Sequence, residues 1–462
     1  RVSFRFYFAC CLNRWFISLC VLKITIAIAT ILSLCAISFL VYGSSAVNFT
    51  VYAQSYLQTI KYRNLIIDLG NGVKTNAQLT YPAVGKGPFP GVLLVHGAGP
   101  ADMNYTLGVI RIDNKTGSKI YPPTQFFQIA QYLSERGFVV LRYDKRGIGE
   151  NSTIIDNNIW GNMISNDLIH DAEKAVNVLV QQPEVDAKKI SIIGHSEGGA
   201  ITTRVAIDNP ITKIKNIVLM AARSQNAHDL MYRPFVGLPL EYAKQVFDKN
   251  HTGSIPIQQA VKDPIVEQYV AFSLTNNQNY STNATTTNAT NIGTLNNLLF
   301  SEKSSNSNST LARHIVGSTA AGSINIDKQL KPMLERTFES AFKASTGEIP
   351  SNKCEMPALC PIYFKSVVSS KPTLNIINNV SSSTDILILH GQNDSASPVQ
   401  ASFLLQQTLT DKRHPDHTLI TYPNLGHFFY PSSEWQTSYG PIPEYVLADL
   451  YSWLESHYGL RK

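Results

Sequence analysis

Gly194-His195-Ser196-Glu197-Gly198-Gly199 holds the residue types best suited to chemistry. A serine between glycines, after a strand-like run and before a helical one, can be turned sharply so that its hydroxyl stands clear of the backbone. That hydroxyl is a poor nucleophile until a base removes its proton. DILILHGQND brings Asp394 to the loop after a late strand pattern, and Asn424-Leu425-Gly426-His427 places His427 after the next one. In this scheme His427 takes the Ser196 proton and later gives it to the leaving group. Asp394 fixes the imidazole tautomer and stabilises the imidazolium. His96-Gly97-Ala98-Gly99 ends an earlier strand pattern. There the backbone N–H of Ala98, joined by that of Glu197, suits an oxyanion hole.

The pentapeptide alone is a weak signal, because a chain with this much Gly and Ser could carry it as an ordinary strand-to-helix turn. A glycine turn after a strand explains HGAG equally well, and a lone His in a late loop is more often a surface residue. The order Ser196, Asp394, His427, with each residue at the C-terminal end of a strand pattern, joins the pieces. Other polar residues read as support. Asp144 and Arg146 brace a loop, and His195 packs. Asp102 and Asn104 either line the mouth or stabilise their loop. Asp171 and Glu173 read as a solvated helix face.

The elements that must position these residues alternate in type. Segment 64–82 reads as two strands joined through Asn71-Gly72, a hairpin dipeptide. Continuous apolar runs at 91–97, 138–144, 189–196, 214–222, 385–391 and 418–424 read as buried parallel strands. Helical spacing occupies 124–136, 166–182, 197–208 and 445–457, with Leu168, Ala172, Ala175, Val176 and Leu179 on one face of the second. The pattern predicts an α/β fold, a doubly wound, mostly parallel sheet with an antiparallel start. Segment 223–383 breaks the rhythm. It carries helical patterns near 228–248, 256–274 and 327–345, no clear strands, and a polar low-complexity run at 276–291. It reads as a helical cap or lid.

The chain resembles the α/β-hydrolase superfamily over about 60–461, on HGAGPADMN (96–104), YDKRGIGEN (143–151), VDAKKISIIGHSEGG (185–199), LILHGQNDSASP (387–398) and NLGHFF (424–429). It is most similar to the capped serine hydrolases of the esterase/lipase and serine-aminopeptidase-like group. The family often has Ser where this chain has Asn151, and Val where it has Ser397; neither departure touches the three residues above. The resemblance implies an α/β-hydrolase core in two parts, 51–222 and 384–462, interrupted by the cap at 223–383.

The chain has 462 residues and a formal charge of +6. Arg1, Arg5, Arg14 and Lys23 stand in the first 50 residues with no acid, which leaves 35 basic against 33 acidic residues beyond. No basic run or nucleic-acid module remains, so nucleic acid is excluded as a partner. Ile24–Tyr42 is an uncharged run of about 19 residues, long enough to cross a bilayer as a helix. With the positive charge before it, 1–50 reads as a basic segment and signal anchor, placing the rest outside the cytoplasm. A cleaved signal ending near Ser44-Ser45-Ala46 is the alternative.

An extracytoplasmic setting accommodates Asn-x-Ser/Thr sequons at Asn48, Asn104, Asn114, Asn151, Asn250, Asn279, Asn283, Asn288, Asn308 and Asn379; an eleventh, at Asn393, adjoins Asp394 and is expected to carry no glycan. It also makes Cys354 and Cys360, the only cysteines beyond the first 50 residues, a disulfide pair. Two thiols without a nearby His do not make a metal site. No metal or cofactor motif is present, so no cofactor is expected. Three functions follow: a hydrolase of carboxylic esters or thioesters, a peptidase acting on short peptides, or an inactive fold used for surface recognition.

Overall fold

Asn71 and Gly72 take φ of 51° and 79°, and the chain reverses there from β1 (Ile60–Gly70) into β2 (Val73–Pro82). Two consecutive positive φ values match the right-handed twist of the paired strands. The structure, a computed structural model, describes residues 59–107, 111–112, 119–120, 122–209, 213–256, 263, 323–346 and 361–459. The apolar run 24–42, the stretch 276–291 and the Cys354–Cys360 pair lie outside these residues. Among the described residues no helix is long and apolar enough to cross a membrane.

After the hairpin come β3 (Phe89–Val95), α1 (Gln125–Ser134), β4 (Val139–Tyr143), α2 (Ser165–Val180), β5 (Val185–His195), α3 (Glu197–Asp208) and β6 (Asn216–Met220). Past the insertion lie β7 (Asp385–Gly391), α4 (Gln400–Asp411), β8 (His417–Tyr422) and α5 (Glu444–Tyr458). The eight strands form one sheet in the order β1-β2-β4-β3-β5-β6-β7-β8. β2 joins β4 antiparallel, and the strands from β4 onward run parallel.

Alternation along the strands sends side chains into two cores. Ile217 and Leu219 of β6 and Ile386 and Ile388 of β7 belong to the same apolar cluster as Ala172, Ala175, Val176 and Leu179 of α2. Val218 and Leu387 on the opposite face belong to a second cluster with Phe126 and Ile129 of α1 and Val446 and Leu450 of α5. Both faces are covered, so every residue of β4, β6 and β7 is buried.

The insertion holds a helical stretch over 227–247 and a helix at Lys331–Thr346. It also holds an antiparallel ribbon that the sequence reading missed, Ser254–Pro256 against Ser323–Asn325. Strands of three residues are too short to show an alternation. Val236, Ile255, Ile324, Ile326, Leu334 and Phe338 give this region its own apolar cluster. The helix Pro361–Val368 instead puts Tyr363 and Val367 into the core beside α2.

One polar expectation is corrected. Asp171 is not part of a solvated face: its side chain is 1% exposed and takes two hydrogen bonds from Arg146, at 2.7 and 2.6 Å. Glu173 does lie toward the surface, paired with His170. The Arg146–Asp171 pair ties the loop after β4 to α2. Arg146→Met should lower unfolding free energy in urea by about 3 kcal/mol, because it strands a buried carboxylate. Arg146→Met with Asp171→Leu should regain most of that loss.

Candidate active site

Ser196 takes φ 56° and ψ −116° at the junction of β5 and α3. A non-glycine residue there costs on the order of 1–3 kcal/mol and must be held by its surroundings. Ser196 N–H donates to Met220 O at 2.9 Å, and Ser196 O accepts from the N–H groups of Gly199 and Arg223, both at 3.0 Å. The flanking glycines are needed for approach. A Cβ at Gly194 would lie 2.2 Å from Gly198 O, and one at Gly198 would lie 2.1 Å from Val95 O. The turn therefore seats directly on the end of β3.

The loops after β7 and β8 bring the other two residues to this point. His427 Nε2 lies 3.0 Å from Ser196 Oγ, and His427 Nδ1 lies 2.7 Å from Asp394 Oδ2. With Nδ1 facing a carboxylate, that nitrogen carries the proton, and Nε2 is free to accept one from Ser196. Asp394 Oδ1 accepts the N–H groups of Ala396 and Ser397, at 2.8 and 2.7 Å. Burial works to raise the Asp394 carboxyl, but His427 and His390 outweigh it and hold it well below the usual carboxylate range.

His390 was not singled out from sequence. Its Nε2 faces Ser397 O at 2.7 Å and Asp394 Oδ2 at 3.1 Å, while Nδ1 accepts from Ser402 Oγ at 2.6 Å. It thus gives Asp394 a second imidazole. Its position four residues before Asp394 was the available signal.

His195 supports the site as expected. Its Nε2 donates to His427 O at 2.8 Å, and its Nδ1 accepts from Tyr105 Oη at 3.1 Å. Burial, reinforced by His427, pushes its imidazole down to about 3. A ring that stays neutral through this range holds the backbone of His427 without competing for the serine proton. Asp102 is spent within its loop, accepting from Thr106 N–H at 2.9 Å and Thr106 Oγ1 at 2.6 Å. Asn104 accepts from Arg142. Asp144 accepts from Met103 N–H at 2.6 Å. All three stabilise loops, as does Asn393, whose side-chain amide donates to Ser432 O at 2.7 Å.

Ala98 follows Gly97, where a Cβ would come 3.0 Å from Ser196 Cβ, and Glu197 follows Ser196; among the described residues no acceptor takes the N–H of either. The Glu197 side chain is buried below the turn, accepting from Tyr363 Oη and from Arg223 Nη1 at 3.4 Å. Nothing in the local sequence signalled Tyr363, which comes from 166 residues away.

Burial also pushes His96 down to about 3, with Lys145 adding to the effect. Between about pH 6.5 and 3 the unfolded chain binds the protons that His96 and His195 refuse, so both rings withdraw stability as acid is added. Selective ¹⁵N-histidine NMR should show both rings neutral from pH 8 down to 4.5; titration of either near 6.5 would contradict this environment.

A family model described as serine aminopeptidase, S33, matches residues 124–297, which include Ser196. One described as the prolyl oligopeptidase family matches residues 361–460, which include Asp394 and His427. Esterase EstD of Thermotoga maritima is 32% identical over 154 residues. That match covers 33% of this chain and 32% of the relative, so the chain spans about a third of the length of this curated protein. Among solved structures, a hypothetical protein from Pseudomonas aeruginosa superposes with a TM-score of 0.44 at 14% identity, covering 86% of this chain and 94% of that one. The α/β hydrolase GrgF from a Penicillium species gives 0.42 at 14% identity, covering 86% and 99%. Together with the strand order and the turn at Ser196, the two family matches support a serine hydrolase of the α/β-hydrolase type.

Proposed function

We propose that the protein cleaves carboxylic ester or thioester bonds through an acyl-enzyme formed on Ser196. The observation that carries this reading is the continuous chain from Ser196 Oγ to His427 Nε2 at 3.0 Å and from His427 Nδ1 to Asp394 Oδ2 at 2.7 Å. His427 takes the hydroxyl proton as Ser196 attacks the substrate carbonyl. The N–H groups of Ala98 and Glu197 receive the negative oxygen of the tetrahedral intermediate. His427 then protonates the leaving alcohol or thiol, and water activated by the same imidazole releases the acid. The resemblance to an esterase supports an ester substrate.

A peptidase reading has its own support, because both matching family models are described by peptidases. The three residues serve amide and ester alike. A panel of p-nitrophenyl esters of rising acyl length, run beside aminoacyl-anilides, separates the readings. Turnover of the esters is expected; turnover of the anilides alone would overturn the ester assignment. Ser196→Ala should abolish labelling by a fluorophosphonate probe, and Asp394→Asn should lower kcat by about 10⁴-fold. A folded wild-type protein that does not label would favour the surface-recognition reading.

The proposal places the reaction outside the cytoplasm, on the strength of Arg1, Arg5, Arg14 and Lys23 preceding the apolar run Ile24–Tyr42. The anchor would tie the enzyme to a membrane, and the Cys354–Cys360 disulfide and sequon glycans belong to the same setting. Of the described sequons, Asn151, Asn250 and Asn379 are exposed. Protein recovered from native membranes should retain the run; a mature chain beginning near Val47 would make the segment a cleaved signal.

A further inference from the structure

Beneath the turn lies a lysine that the mechanism above does not use. Lys145 follows β4, and its side chain is 3% exposed. Its Nζ donates to Gly97 O at 2.6 Å and to Gly99 O at 3.0 Å. Its backbone N–H donates to Ala101 O at 3.0 Å, so the same residue holds this loop at three points. Glu197 Oε2 lies 4.0 Å from Nζ, and that oxygen has no hydrogen-bond partner among the described residues. Lys145 thus stands between the loop that carries Ala98 and the helix start that carries Glu197.

We propose that Lys145 is the positioning residue of the oxyanion hole, acting through the peptide that joins Gly97 to Ala98. The proposal rests on the serine-hydrolase reading of Ser196. The carbonyl of Gly97 and the N–H of Ala98 belong to one planar trans peptide, so they point to opposite sides of the chain. A donor held on the carbonyl fixes the direction of the N–H. Gly97 packs against the nucleophile: a Cβ there would come 3.0 Å from Ser196 Cβ. The N–H that Lys145 orients belongs to the peptide that leaves Gly97, and among the described residues no acceptor takes it.

Charge adds to geometry. A cation on the carbonyl oxygen draws electron density from the amide nitrogen and makes its N–H a stronger donor. The gain is largest when the acceptor is an oxyanion rather than a neutral carbonyl, so it belongs to the transition state. Burial lowers the Lys145 ammonium while Glu197 and Asp171 work against that. Without Lys145 the peptide could rotate, and the Ala98 N–H would have to be ordered during the reaction.

The test compares Lys145→Met, Lys145→Gln and Lys145→Arg in the full chain on a p-nitrophenyl ester, with binding of a trifluoromethyl ketone as the oxyanion probe. Lys145→Met should lower kcat about 30- to 100-fold with KM changed less than threefold, and weaken the ketone by a similar factor. Lys145→Arg, which keeps charge and donors, should restore at least tenfold of the lost kcat. Lys145→Gln keeps one donor and covers the case in which the methionine variant does not fold; its loss should be intermediate. A folded methionine or glutamine variant with kcat within threefold of wild type would overturn the proposal. So would a loss in KM alone with ketone affinity unchanged. Fluorophosphonate labelling of the wild-type protein is run alongside. If Ser196 does not label there, the serine-hydrolase reading fails, rather than the assignment of Lys145.

Discussion

Ser196 sits in a backbone conformation that no local preference supplies. Three backbone hydrogen bonds hold it, from β6, from the segment after β6 and from within α3. Close seating against Val95 holds it as well, and Gly198 permits this because any side chain would strike the carbonyl. Most of the sheet can be understood as what is needed to keep that turn in place. β3 provides the surface it rests on, β5 and α3 provide its two arms, and β6 provides its acceptor. The buried apolar faces of these strands supply the rigidity that a strained turn requires.

Around the turn, polar groups are arranged so that one proton path remains. Of the imidazoles near Ser196, His195 is committed at both nitrogens and kept neutral by burial. His390 is committed at both nitrogens as well, between Ser402 and the Asp394 loop. His427 alone presents a nitrogen to the serine hydroxyl, with its other nitrogen on a carboxylate held low. Lys145 and Glu197 lie on the far side, where they meet carbonyls and side chains of the scaffold.

Much of this was legible in sequence because it follows from local pattern. The hairpin at Asn71-Gly72 needs positive φ, and α3 begins at Glu197 because Gly194 and Gly198 frame the turn. The continuous apolar runs named all the parallel strands, with ends shifted by a few residues. What escaped depends on contacts between distant segments. Asp171 stands at the edge of the apolar stripe, three residues after Leu168 and four before Ala175, and only the arrival of Arg146 from the loop after β4 makes its burial tolerable. Tyr363 reaches Glu197 from a helix whose local sequence carries no sign of the site. Lys145 carries no local mark of its position until the carbonyls of Gly97 and Gly99 close around it.

A serine hydrolase forms a covalent bond to one oxygen, that of Ser196. Rapid mixing with a p-nitrophenyl ester, acid quenching and peptide mass analysis would measure it. A burst of close to one p-nitrophenol per protein is expected, with the acyl mass on the peptide containing Ser196 and no burst in Ser196→Ala. Turnover of the ester by the wild-type protein with no acyl mass on that peptide, or an equal burst from Ser196→Ala, would contradict an acyl-enzyme on Ser196.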